Sequence, residues 1–364
     1  MGGFTAGVLV AILPWAMKSL GVLILGMLGL RYLKHALRSL TVIIVFFFVA
    51  IALVSGIVNG AANITFAKYI FIAVGFTILA SLVESSMQEQ RSVLIGLLLA
   101  SFVYCFFFIF HSDWARLHDP EYRGDVDYDV FLAQTAAVMA VISFRLMLTE
   151  KIARRYFVLF VIFFLIGIIF PYLIKSRGYT TVLIISIIYI LYREVRMIWI
   201  APTLVVFITS LLIFKEEAAA LIIKLTEVYG IFDGVRDVTT GSGRFNAWEY
   251  ALFELFPKHP WIGYGPDSNY ELLWAATMIN GGHNVLIATI VDFGLFGLAM
   301  LFALFYVVAV RAIKNEGNWF GLHILIIGVA SILNENMLFT FGNPGSLLIM
   351  LSIASLGRGL KIQI

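Results

Sequence analysis

The chain has 364 residues, of which 61% are hydrophobic and only 13% are charged, and its mean hydropathy is +0.97. Soluble domains are closer to half apolar and a quarter charged, so this composition excludes an ordinary soluble protein and predicts a protein embedded in a bilayer. The net charge of +3 is too small to indicate nucleic-acid binding, and a single cysteine, Cys105, excludes an intrachain disulfide and a thiolate metal cluster.

Apolar segments long enough to cross a bilayer recur along the sequence. After the first basic cluster, we predict spans at about 40–58, 66–83, 93–110, 128–148, 156–174, 197–214, 284–310 and 319–337, with shorter ones at 179–192 and 345–358. Residues 4–30 add either one tilted helix or two short ones. The sequence therefore predicts an all-α polytopic integral membrane protein of about 11–12 transmembrane helices, with residues 1–364 in a single membrane domain.

The basic residues give this topology an orientation. Counted along the predicted spans, the short basic segments all fall on one side, and they contain Arg31, Lys34, Arg38, Lys151, Arg154, Arg155, Arg193, Arg196, Arg311, Lys314, Arg358 and Lys361. The positive-inside rule makes that side the cytoplasm. The extracytoplasmic face then receives 59–65, 111–127, 175–178, 338–344 and the long loop 215–282.

The long loop 215–282 contains its own structural signals. Residues 215–229 carry apolar side chains at helical spacing and predict an amphipathic helix on the membrane surface. Residues 244–256 predict a second short helix that Pro257 ends, and Gly263-Tyr264-Gly265-Pro266 predicts a turn. We interpret this loop as an extracytoplasmic active-site loop.

Two arginines on the predicted outer face are candidates for binding an anion. Arg244 follows Gly241-Ser242-Gly243 at a predicted helix start, where free N–H groups and a guanidinium favour phosphate oxygens. An exposed loop arginine fits this pattern equally well. Arg177 and Lys175 lie in a tight connection on the side that is poor in cations, which indicates function, although snorkelling to lipid phosphates explains Lys175 better.

His283 lies where the loop meets the next span. An imidazole can accept a proton near neutral pH and act as a general base, and Asn284 could orient it or bind a sugar hydroxyl. A histidine at a helix start is more often a cap or a packing residue. Gly281 and Gly282 permit close approach of a substrate and favour the functional interpretation.

Acidic residues provide weaker candidates. The Asp-x-Asp-x-Asp series could bind a divalent cation through oxygen ligands, but a solvated acidic face is the preferred interpretation of Asp125, Asp127 and Asp129. Asp292 and Glu335 lie inside predicted spans, where a carboxylate is costly unless it is neutral or paired. We expect both to be structural rather than catalytic.

Five pieces follow one another in the sequence: Ser176-Arg177-Gly178, Gly243-Arg244 with Trp248, Pro260 with Gly263-Tyr264-Gly265, His283-Asn284, and Asp292-Phe293-Gly294-Leu295-Phe296-Gly297. In their order and their placement on one face, these pieces resemble the O-antigen ligase and polymerase superfamily of bacterial membrane proteins. The resemblance covers about residues 175–300. The family usually has an acidic residue before the last glycine pair, and Asp292 occupies that place.

The resemblance implies a metal-independent, inverting glycosyltransferase with a fold of the GT-C type and no cofactor. Its donor would be a glycan on undecaprenyl diphosphate and its acceptor a sugar hydroxyl of lipid A-core, on the periplasmic face of the bacterial inner membrane. Arg177 and Arg244 would bind the diphosphate and His283 would deprotonate the acceptor, with support from Ser176, Asn284 and Tyr264.

Other functions stay open at this stage. A polymerase would share the donor and the site but use a second lipid-linked repeat as acceptor, and some related members modify proteins. His283-Asn284 favours the ligase. A transporter of an anionic solute would require inverted repeats or interrupted helices near the midplane, and the sequence indicates neither.

Overall fold

The computed structural model describes residues 32–60, 65–83, 87–111, 128–149, 154–173, 177–194, 244–277, 284–314 and 344–358. The regular structure of these segments is entirely helical. The helices are α1 (Leu33–Ala36), α2 (Leu40–Val58), α3 (Thr65–Val83), α4 (Met87–His111), α5 (Tyr128–Thr149), α6 (Arg154–Leu173), α7 (Arg177–Glu194), α8 (Arg244–Tyr250), α9 (Ser268–Thr277), α10 (Val285–Lys314) and α11 (Pro344–Arg358).

Eight of the predicted spans coincide with helices α2 to α7, α10 and α11. The predicted spans 197–214 and 319–337, the N-terminal segment 4–30 and the predicted amphipathic helix 215–229 lie outside the described residues. Helix α9 was not predicted. In the sequence, Ser268 followed three residues later by Glu271 resembles a capping box, but Ser268 is the first helical residue and its hydroxyl donates to the Tyr264 carbonyl over 3.1 Å.

The helices pack into a bundle around α5 and α11. Helix α5 packs against α6 and α7, and α11 contacts α2, α3, α4, α5 and α10. Both are buried on all sides over long stretches, at residues 132–143 and 346–355. Close approach of α6 to α5 depends on Gly167, because a Cβ there would lie 2.6 Å from the Ala136 carbonyl oxygen and from the Ala140 Cβ.

The surface of the bundle is unusually apolar. Large hydrophobic side chains are exposed on α2, α3, α6, α7 and α10, and Phe47, Val158 and Ile188 are each 60–61% exposed. By length and composition, Leu40–Val58 and Val285–Ala312 could each cross a membrane, and the other long helices contain shorter apolar stretches. An apolar surface of this extent suits lipid rather than water.

The starts of three helices lie close together. Near the starts of α11 and α5, the Ser346 hydroxyl donates to Gln134 Oε1 over 3.1 Å, and near the start of α7 Tyr179 packs on α5. The last residues of α3 and the first turns of α4 line a small cavity together with Leu351, near the middle of α11. The starts of α5, α7 and α11 therefore share one end of the bundle.

Helix α10 is broken at Gly294, although the sequence predicts an unbroken span at 284–310. Gly294 has φ 62° and ψ −155°, which ends the α-helical hydrogen-bond ladder there. The segment 259–267, which we call the clamp segment, replaces the lost bonds. The Leu295 and Phe296 N–H groups donate to the carbonyls of Pro260 and Trp261 over 2.8 and 3.2 Å.

The clamp segment also satisfies the carbonyls on the other side of the break. Tyr264 N–H donates to the Val291 carbonyl over 2.9 Å, and Gly265 N–H donates to the Asp292 carbonyl over 3.0 Å. These two carbonyls and the two N–H groups after Gly294 would have bonded to each other in an unbroken helix. The clamp segment and the break therefore depend on each other.

The clamp predicts unequal effects for two glycines with the same φ. Gly263 (φ 67°) has no room for a side chain, since a Cβ would lie 2.4 Å from the Asp292 carbonyl carbon. Gly60 (φ 68°) has, among the described residues other than its chain neighbours, no atom within 4 Å of that position. We expect Gly60→Ala to lower the free energy of unfolding by about 1–2 kcal/mol through backbone strain alone. Gly263→Ala should lower it clearly more, because the clamp segment must also separate from α10.

The measurement is the thermal unfolding midpoint of each variant in detergent, compared with the unchanged protein. Limited proteolysis would then report whether residues 244–277 have become accessible. Equal shifts for Gly263→Ala and Gly60→Ala would contradict the described packing.

Candidate functional site

The structure describes some of the predicted site residues. Arg244 begins α8 and is partly exposed, and Tyr264 and Asn284 are described in full. Arg177 begins α7, but its side chain lies outside the described part, as do Ser176 and His283. The joint arrangement of the two arginines and the histidine therefore stays a prediction.

Arg244 is held on a helical unit that continues beyond α8. After Tyr250 the backbone widens into a π-helical turn at Ala251–Leu255 and tightens into a 3₁₀ turn at Phe256–Lys258. The predicted helix at 244–256 is confirmed, and it ends within the 3₁₀ turn that contains Pro257.

This unit forms a second apolar core, separate from that of the bundle. Its members are Ala251, Leu255, Leu273, Ile287, Ile290 and Val291. They come from the π-helical turn, from α9 and from the part of α10 before the break. The first two turns of α10 thus belong to the folded loop as much as to the bundle, and the loop carries Arg244 on a packed support.

Tyr264 holds the clamp segment to that support. Its hydroxyl donates to the Leu255 carbonyl over 3.0 Å, and its ring lies 4.3 Å from the His259 ring, centroid to centroid. Burial, and secondarily the neighbouring Tyr250 phenol, raises the pKa of Tyr264, so the phenol stays neutral and remains a donor. Tyr264 has a supporting role within the loop.

Asn284 caps α10. Its Oδ1 accepts a hydrogen bond from Leu286 N–H over 2.8 Å, its carbonyl accepts one from Ala288 N–H, and the residue is 7% exposed. This is the bonding pattern of an N-cap. One lone pair of Oδ1 serves the helix, which leaves its second lone pair and the amide nitrogen for orienting an imidazole or binding a hydroxyl.

Asp292 is the most heavily bonded acidic residue of this region. It is 3% exposed, and its Oδ1 accepts from Asn269 N–H over 2.7 Å. Its Oδ2 accepts from Asn269 Nδ2 over 2.8 Å and from Asp267 N–H over 3.2 Å. Because these N–H groups lie at the start of α9, a carboxylate from α10 caps a second helix and favours its positive dipole end.

The carboxylate thus has a structural role, as the sequence indicated, although its partners differ from the expected ones. The sequence suggested that the group is either neutral or paired within the bundle, and the second of these alternatives is wrong. The partners lie in the loop instead, because the break at Gly294 brings α9 against α10.

Groups from the ends of α2 and α3 complete this cluster, and none of them was predicted. Ser55 Oγ lies within hydrogen-bonding distance of the Ile262 and Asp292 carbonyl oxygens, and Asn59 Nδ2 donates to the Gly263 carbonyl over 3.1 Å. The Lys68 ammonium pairs with the Asp267 carboxylate at 2.7 Å, with the two side chains 50% and 31% exposed. The predicted outer connection 59–65 and the loop therefore meet at one end of the bundle.

The bonds to Asp292 also fix a helical hairpin. Helix α9 runs away from Asn269, α10 runs toward Asp292, and Leu273 packs with Ile287 and Ile290 between them. Each arm is about 12 Å long at 1.5 Å per residue. Asn284, which follows His283 in the chain, stands at the far end of this hairpin from Asp292.

A metal site finds no support in the described segments. They contain no group of three His, Cys, Asp or Glu side chains that could hold a metal ion. Asp125 and Asp127, and the side chain of Asp129, lie outside the described residues, so the cation hypothesis for that series stays untested.

The Asp292 cap predicts a reciprocal rescue. Asp292→Asn turns one acceptor into a donor that faces Asn269 Nδ2 and Asp267 N–H, and each donor left unsatisfied costs about 1–3 kcal/mol. Asn269→Asp places two carboxylates together. In the double exchange, the new amide donates to the new carboxylate, and the bond from residue 269 N–H to residue 292 is kept. We expect the double variant to unfold at a higher temperature than either single variant.

Thermal unfolding of the three variants in detergent tests this expectation, with Glu271→Gln, an exposed carboxylate on α9, as the control. If the unfolding midpoint of the double variant fell by the sum of the decreases in the two single variants, that result would contradict the hydrogen bonds between residues 269 and 292.

The comparison with protein families places this site in a known context. Residues 162–302 match the model of the family described as O-antigen ligase, and the match contains α7, α8, the clamp segment, α9 and the break in α10. The comparison with curated proteins gives no match. The family is membrane-bound, which agrees with the apolar surface of the bundle. The resemblance in the sequence is thereby confirmed over residues 162–302, the part of the chain that matches the O-antigen ligase family.

Proposed function

We propose that this protein is an O-antigen ligase-like glycosyltransferase of the bacterial inner membrane. It transfers a glycan from undecaprenyl diphosphate to a sugar hydroxyl of lipid A-core on the periplasmic face. The observation that carries the proposal is the family match at residues 162–302, which includes Arg177, Arg244, His283 and Asn284. The protein is polytopic, folds as a single membrane domain of the GT-C type, and transfers the glycan with inversion.

The two arginines act on the leaving group. When the glycosidic bond breaks, the lipid diphosphate gains negative charge, and guanidinium groups that bind this charge lower the barrier without a metal ion. Arg177 contributes from the start of α7 and Arg244 from the start of α8. Ser176 supports Arg177. The packed support beneath α8 favours this role, because a fixed cation need not be reorganised during the reaction.

His283 acts on the acceptor. Its imidazole removes the proton from the sugar hydroxyl as that oxygen attacks the anomeric carbon, and the diphosphate leaves from the opposite face. The cap formed by Asn284 supports this role, because it fixes the backbone next to the histidine. Asp292 fixes the base of the same hairpin.

The transporter alternative is weakened by the contacts at the helix break. An interrupted helix is a feature of transporters, where freed backbone groups bind ions or substrate. In α10 the carbonyls of Val291 and Asp292 and the N–H groups of Leu295 and Phe296 are instead satisfied by the clamp segment. The break supports a loop rather than a binding site for a transported solute.

The first prediction of this proposal concerns His283. We expect His283→Ala to lower the transfer rate by about 100- to 10,000-fold, the usual contribution of a general base, while donor binding changes little. The assay measures glycan transfer in proteoliposomes and binding of the lipid-diphosphate donor separately. Normal transfer by a well-folded His283→Ala protein would contradict the role of His283 as the general base.

The second prediction concerns Arg244. Arg244→Ala should weaken donor binding or turnover by at least about tenfold, equivalent to the 1.4 kcal/mol or more that a charge-assisted contact contributes. Lys258→Ala removes an exposed cation from the same loop and serves as the control. Equal effects of the two substitutions would indicate that general positive charge, rather than Arg244 itself, attracts the donor.

The acceptor is identified by offering lipid A-core and a second lipid-linked repeat in separate reactions. Transfer to lipid A-core is expected. Transfer only to the lipid-linked repeat would make the protein a polymerase, and transfer to neither, together with flux of an anionic solute, would favour transport.

A further inference from the structure

The two parts of α10 on either side of Gly294 have different surroundings. Before the break, residues 285–293 are buried or partly buried. The apolar core of the loop covers Ile287, Ile290 and Val291, and the core of the bundle covers Val285 and Phe293. After the break, one face of the helix carries bare apolar side chains at helical spacing. Leu295, Phe296, Phe302 and Tyr306 are 37%, 49%, 52% and 71% exposed. The opposite face packs into the bundle through Leu301, Leu304 and Val308.

The length of the second part fits a bilayer. From Leu295 to Ala312 the helix is about 27 Å long at 1.5 Å per residue, close to the roughly 30 Å of a hydrocarbon core. Arg311 and Lys314 mark its far end. Helix α2 has 19 residues, which is about 28 Å, and its last turn meets the clamp segment through Ser55 and Asn59. Both helices therefore reach the clamp segment after one bilayer thickness.

Polar and aromatic groups gather at this level. Trp261 is 60% exposed, its ring lies 5.8 Å from that of Phe296, and its carbonyl bonds to Phe296 N–H. Lys258 and His259 are exposed nearby in the chain, and the exposed Lys68–Asp267 ion pair lies at the other end of the clamp segment. Tryptophan beside cationic groups at the end of an apolar stripe is typical of the membrane–water interface.

We propose that the outer boundary of the bilayer crosses α10 at Gly294 rather than at the start of the helix. The exposed rings of Trp261 and Phe296 form a surface that docks onto the boundary between lipid headgroups and acyl chains, and the clamp segment lies along that boundary. The proposal rests on the membrane setting of the proposed function. It places Asp292 at the membrane surface, where its capped carboxylate avoids the cost of the hydrocarbon interior.

This boundary has a consequence for the site. The part of α10 from Asn284 to Gly294 extends by up to about 15 Å beyond the membrane surface. The hairpin of α9 and α10 would then hold its far end above the lipid headgroups. A sugar hydroxyl of a glycan that projects from the membrane could reach that height, whereas the diphosphate of a lipid donor stays near the headgroups.

The depth of single spin labels tests the boundary. Cys105 is the single cysteine, so Cys105→Ala gives a background free of thiols. Into it we would introduce Trp261→Cys, Phe296→Cys, Phe302→Cys and, as a water-exposed control, Glu271→Cys. Each variant is labelled with a nitroxide and reconstituted into phospholipid vesicles. The accessibility of the label to oxygen and to a water-soluble nickel complex then gives its depth.

We expect labels at residues 261 and 296 to lie near the headgroups and the label at residue 302 to lie about 9 Å deeper, since six residues of helix separate 296 from 302. If the bilayer instead begins at Val285, the label at residue 296 would lie near the bilayer centre and at least as deep as that at 302. That result, or a label at residue 261 as accessible to nickel as that at 271, would overturn the proposal.

The same labels in a His283→Ala background separate this proposal from the proposed reaction. Depths are expected to be unchanged there, because the boundary depends on packing and not on transfer. A protein that transfers no glycan but shows the expected depths would contradict the function alone, whereas an active protein with a deeply placed residue 296 would contradict the boundary alone.

Discussion

The break in α10 and the clamp segment that fills it are the constraint on which the rest of the site depends. An unfilled break would leave two carbonyls and two N–H groups without partners, at a cost of about 1–3 kcal/mol each where they are buried. The clamp segment supplies all four partners with backbone atoms. Two backbone segments can approach this closely only at residues without a Cβ. This explains the glycine at residue 263, which lies against the backbone of Asp292, and the glycine at residue 294, which lies against the backbone of Trp261.

Asp292 extends that constraint from the backbone to the tertiary structure. A carboxyl group that is almost fully buried is costly unless its oxygen atoms have hydrogen-bond partners. Here those partners are N–H groups at the start of α9, so the burial of Asp292 depends on the packing of the loop against α10. The exposed Lys68–Asp267 pair contributes at most about 1 kcal/mol, and the buried bonds define the geometry.

The two apolar cores have different roles. The bundle provides an apolar exterior and a fixed end at which α2, α3 and α10 meet the loop. The smaller core stiffens the loop, so that Arg244 and Asn284 are carried on packed helices. A rigid support suits a reaction in which charge develops on a leaving group, because fixed cations stabilise that charge without reorganising.

The sequence by itself determined the helical class, the positions of the long helices that the structure describes, the helix that begins with Arg244 and the resemblance to O-antigen ligases over residues 162–302. These features follow from local signals: apolar length, charge placement, and turn residues at fixed spacing. The sequence could not predict the break at Gly294, because a continuous apolar segment predicts a single unbroken helix. Nor could it assign partners to Asp292, Ser55 or Asn59. Their hydrogen bonds join residues separated by 23 to 237 positions, and only the folded chain brings such distant groups together.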